Sequence, residues 1–91
     1  MILTTMATRD EAETLVDDLI SYANAIMNTY YAITVGDLID EVDLLLATKH
    51  NKNYALYKQG WKYGCVFKHN IEIVKNDRFY SIVVSNYKEL Q

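Results

Sequence analysis

Residues 33–46, ITVGDLIDEVDLLL, spell out the start of a helix. Thr34 takes the N-cap position. Asp37 comes three residues later, where a carboxylate can reach back to the N–H of the cap. Ile33 just before the cap and Leu38 four residues after it form a hydrophobic staple. These signals set the residue at which the helix begins, and so the rotational phase of every later position in it. At about 100° per residue, Leu38, Ile39, Val42, Leu45 and Leu46 gather on one side, while Asp37, Asp40, Glu41 and Asp43 take the other. Leu44 is the exception, because it points into the acidic side. The expectation is that the helix spans about residues 35–45 and has ended at that point. An exposed apolar anchor is the other reading of Leu44.

The residues ahead of this helix give a second one. Thr8-Arg9-Asp10-Glu11 has the capping-box pattern, and Asp10, Glu11 and Glu13 crowd the first turn, where the helix dipole favours negative charge. Apolar side chains recur at Ala12, Leu15, Val16, Leu19, Ile20, Ala23, Ile26, Met27 and Tyr30, an unbroken stripe of helical period. The spacing predicts a helix over about residues 8–29, with Asp10, Glu13, Asp17, Ser21 and Asn24 on its outer face. Residues 1–7 read as a short lead-in.

After residue 46 the pattern changes. TKHNKN, residues 48–53, has the composition of a polar loop. Residues 54–61 fit a short strand and a helical turn equally well, and Gly60 and Gly64 bracket Trp61. Further on, Ile71-Glu72-Ile73-Val74 and Phe79-Tyr80-Ser81-Ile82-Val83-Val84 are rich in β-branched and aromatic residues. The segment Lys75-Asn76-Asp77-Arg78 between them has turn chemistry, which predicts an antiparallel hairpin. Ile71, Ile73, Tyr80, Ile82 and Val84 are placed on one face of it; a one-residue slip in the second strand is the alternative, since both of its alternations carry apolar groups. Residues 85–91 form a surface tail. The expected fold is α+β in a single domain over residues 1–91: two N-terminal helices plus a C-terminal antiparallel β-hairpin, a reduced winged-helix-like arrangement.

Charge is unevenly distributed. Residues 1–46 hold nine carboxylates and one arginine, a balance of −8, whereas residues 47–91 hold eight Lys/Arg and three carboxylates, a balance of +5. Such asymmetry bears on partners rather than on fold. The halves attract one another within the fold or between the copies of a homodimer, or else they form two binding faces of opposite sign. Cys65 is the sole cysteine among the 91 residues, so no intrachain disulfide forms and a reducing compartment suits the chain. No apolar run approaches the ~20 residues that cross a bilayer, and the N-terminal residues lack the layout of a signal peptide. The cytoplasm is the expected location, with no membrane partner.

Catalytic and metal chemistry find little support in the residue pattern. His50, Cys65 and His69 are the soft ligands, and their spacing is not that of a closed metal site. Val66 and Phe67 beside Cys65 suit a packed thiol better than a nucleophile. Asp37, Asp40 and Glu41 lie on a solvated helix face rather than in an implied pocket. There is no glycine-rich phosphate loop. The expectation is a protein that is not an enzyme and carries no cofactor.

Tyr31-Ala32-Ile33-Thr34-Val35-Gly36-Asp37-Leu38-Ile39-Asp40, placed after an amphipathic helix, resembles small accessory proteins of phages and prophages. In these a T/S-V-x-D-L-x-D helix leads to a polar loop, an aromatic-Gly-Trp element and a closing hairpin. Here the Trp element is Gln59-Gly60-Trp61, without the aromatic before Gly60, and no prolines come after the last strand. The resemblance implies a winged-helix-like fold and a phage setting, and it brings no catalytic residues.

Two functions are compatible with these features. The first is a protein-interaction module in which Asp37, Asp40, Glu41, Asp43 and Leu44 bind a host protein or protein–nucleic-acid complex, since an acidic helical face can dock on a basic surface. With the phage resemblance, it becomes an inhibitor of a host defence nuclease or CRISPR complex. The second is nucleic-acid binding by Lys58, Trp61, Lys62, Tyr63 and Lys68, where basic residues that alternate with aromatics can hold phosphates and stack on bases. Four outward carboxylates on the second helix oppose the usual docking of such a helix in a groove.

Overall fold

In the computed structural model, residues 1–30, 33–49 and 71–85 are described. They form β1 (Ile2–Met6), α1 (Arg9–Tyr30), α2 (Val35–Thr48), β2 (Ile71–Asn76) and β3 (Phe79–Val84). Among the described residues this is an α+β fold of two helices and one three-stranded antiparallel sheet.

Each helix begins where its capping chemistry directs. At the head of α1 the Thr8 hydroxyl accepts a hydrogen bond from the Glu11 N–H at 3.2 Å and donates to the Glu11 carboxylate at 3.1 Å. The apolar stripe of α1 is buried as its period requires, with Ala12, Leu15, Leu19 and Ala23 fully enclosed and Val16 nearly so. The buried side of α2 is Val35, Gly36, Leu38, Ile39, Val42, Leu45 and Leu46. Ile33 and Leu38, the staple pair, are both buried in the same core.

The end of α2 differs from expectation. The helix runs through Leu44 to Thr48. The Thr48 hydroxyl donates to the Leu44 carbonyl at 2.7 Å, and the Lys49 N–H donates to the Leu45 carbonyl at 2.8 Å. Burial of Leu45 and Leu46 carries the helix past the point where Leu44 breaks the pattern, so Leu44 stays helical and lies 55% exposed. Thr48 therefore belongs to the helix rather than to the polar loop. Lys49 follows as the C-cap, and the rest of that loop from residue 50, the 54–61 segment and the tail beyond Ser85 lie outside the described residues.

The hairpin forms with tighter closure than its composition suggested. Pairing extends to Asn76 opposite Phe79, so the loop is Asp77-Arg78 alone. Asp77 has φ 37°, the left-handed geometry that a two-residue hairpin loop demands and that aspartate tolerates better than most residues. Ile71 pairs with Val84 and Ile73 with Ile82, so the expected face holds. Ile71, Ile82 and Val84 are buried on it, and Ile73 and Tyr80 pack at its margin.

Residues 1–7 are not a lead-in, because residues 2–6 form an edge strand. β1 pairs antiparallel with β3, giving the strand order β1-β3-β2. Met1 extends the ladder: its nitrogen donates to the Val84 carbonyl at 3.0 Å and its carbonyl accepts the Val84 N–H at 2.9 Å. The register shifts between Ile2 and Thr4, which makes Leu3 an extra residue, a β-bulge. Because of that shift, Leu3 and Thr4 are both buried, ahead of exposed Thr5 and buried Met6. Two adjacent inward residues break the period of two that marks a strand.

α1 packs on α2 and on all three strands, and α2 reaches β1. The core therefore lies between the helix pair and one face of the sheet. The other face carries exposed Ile2, Val74 and Phe79 around Ser81, whose buried hydroxyl accepts a hydrogen bond from Asn76 Nδ2 at 3.1 Å. Met6→Ala should lower the unfolding free energy by about 2–5 kcal/mol, as other large-to-small core changes do. Ile2→Ala on that face, at a side chain that is 54% exposed, should cost less than about 1 kcal/mol. Denaturant midpoints measure both, and equal losses would contradict the seating of β1.

Candidate interaction surface on the second helix

The acidic side of α2 is built outward from its cap. Asp37 N–H donates to Thr34 Oγ1 at 3.1 Å, and Thr34 N–H donates to Asp37 Oδ2 at 3.0 Å, which closes the capping box. One candidate binding residue is therefore occupied by the fold, since the Asp37 carboxylate satisfies a backbone donor at the helix start. Three, four and seven residues on from Asp37 come Asp40, Glu41 and Leu44, which form a row along one side of the helix. Asp40 is exposed, Glu41 and Asp43 are half-buried, and Leu44 is exposed.

The row is flanked by a seam of charge that composition alone did not reveal. Lys49, the C-cap of α2, donates from Nζ to Asp18 Oδ2 of α1 at 3.0 Å. Asp18 also acts electrostatically on Glu41. One helical turn along α1, Tyr22 lies in the field of Asp37, Glu41 and Asp40. Ascending α1 from Asp18 to Tyr22 thus meets α2 in descending order, so the helices run antiparallel along this edge. Asp18 and Tyr22 are four residues apart and border the apolar stripe of α1. That spacing was the available signal, but it did not identify their partners.

Partial burial pushes the Glu41 carboxyl above the usual glutamate range, and the negative charge of Asp18 adds to this while Lys49 opposes it. Partial burial likewise raises the Tyr22 phenol, with Asp37, Glu41 and Asp40 adding to the effect. Asp18, Asp37, Asp40 and Glu41 thus act on this edge together, with Lys49 held against Asp18.

No family model matches this sequence, and no curated protein or solved structure matches it either.

The alternative nucleic-acid set, Lys58, Trp61, Lys62, Tyr63 and Lys68, lies outside the described residues, as do His50, Cys65 and His69. Near the hairpin tip, Lys75 Nζ sits 5.9 Å from the Tyr80 ring centroid, at the far limit of a cation–π contact. Among the described residues no three metal-binding side chains come together. The α2 row is suited to non-covalent docking: carboxylates steer and orient a cationic surface, and an apolar side chain in their midst gains from being covered.

The capping role of Asp37 sets it apart from its neighbours on the row. Asp37→Lys should lower stability by roughly 1 kcal/mol, because it removes a cap acceptor and places a cation at the positive end of the helix. Asp40→Lys should stay within about 0.5 kcal/mol of the parent. Thermal melts compare the two, and equal melting temperatures would mean that the cap carries no stability. For Glu41, the folded state binds its proton more readily than the unfolded state, so stability falls as pH rises from the ordinary glutamate range through the raised value. Glu41→Gln should therefore stabilise the protein at about pH 7 by less than about 1 kcal/mol, a gain that fades below about pH 4. A gain that instead grows on acidification would refute the assigned cause.

Proposed function

We propose that this chain is a small protein-interaction module of the phage type, which docks on a basic surface of a host protein or protein–nucleic-acid complex through the outer row of α2. Asp40 and Glu41 supply the charge of the row, with half-buried Asp43 beside it, and Leu44 supplies the apolar contact, while Asp37 holds the helix start in place. The observation that carries this reading is Leu44, which is 55% exposed on the row shared with Asp37, Asp40 and Glu41. Full burial of an exposed leucine is worth about 1.5–3 kcal/mol, so covering the exposed part of Leu44 is worth roughly half of that, while the surrounding carboxylates select against partners of the wrong charge.

The phage setting comes from the likeness of residues 31–40 to small phage and prophage accessory proteins. In that setting the basic target is a nucleic-acid groove on a host defence nuclease or CRISPR complex, the acidic row competes for it, and the protein acts as a non-enzymatic inhibitor in the bacterial cytoplasm. Among the described residues no helix is long and apolar enough to cross a membrane.

A tagged pull-down from a bacterial host lysate, split into nuclease-treated and untreated halves, tests the proposal. A stoichiometric protein should be retained in both halves. The double variant Asp40→Lys with Leu44→Ser should reduce its retention at least about tenfold, with an unchanged melting temperature. Undiminished retention by that variant overturns the assignment to α2. If material appears only in the untreated half, and Lys58→Glu, Lys62→Glu and Lys68→Glu together remove it, the protein is a nucleic-acid binder instead.

A further inference from the structure

We draw no further inference here: the strongest candidate, the face of the sheet turned away from the helices, where Ile2, Val74 and Phe79 lie exposed around buried Ser81, carries nothing because nothing in the structure shows what covers it.

Discussion

The pairing of β1 with β3 is the constraint on which the rest of the structure depends. β3 is the central strand, so its backbone groups are satisfied on both sides only when β1 and β2 are both in place. A two-stranded hairpin alone is marginal in water, whereas a third strand with a helix-covered face gives a sheet that can hold a core. With β1 seated, Leu3 and Met6 join Ile82 and Val84 beneath the helices, and α1 gains a continuous apolar surface to lie on. The helical stripe that dominates the sequence would otherwise cover only part of a sheet.

Within that frame the capping box of α2 has a positional role larger than its energy. A cap contributes about 1 kcal/mol, less than the burial of a single large aliphatic side chain. Yet because Thr34 and Asp37 fix the first helical residue, they fix which side chains turn inward. Leu38, Val42 and Leu45 then face the core, and the same phase places Asp40 and Leu44 at the surface. The Lys49–Asp18 ion pair ties the other end of α2 to α1. Both partners are partly exposed, so it aligns the ends more than it stabilises them.

Local signals were legible in the sequence wherever they were sufficient. The α1 stripe, the α2 start and the hairpin all rest on neighbours within a few residues, and each stands where those neighbours place it. β1 was not legible, for two physical reasons: the bulge at Leu3 erases the alternation, and the partner strand lies near the far end of the chain. The end of α2 was misplaced because Leu44 violates the amphipathic pattern while Leu45 and Leu46, buried beyond it, carry the helix on. Of the candidate surface, the acidic row could be read from helical phase. Its flank of Asp18, Tyr22 and Lys49 could not, because helix-to-helix neighbours leave no mark in local spacing. The structural use of Asp37 was written in the capping signal itself, although the same carboxylate also counted toward the binding face.

The distance along the chain between the two partner strands has a consequence for how the protein comes into being. Met1 and Val84 are 83 residues apart. A ribosome adds roughly 5–20 residues per second, so the first strand emerges several seconds before its partner exists. During that interval α1 can wind, because its contacts are local, but it has no finished sheet to lie on. Closing so long a loop early is unfavourable, which defers the last consolidation until β3 has been released. β1 is thus made well before β3 and secured last.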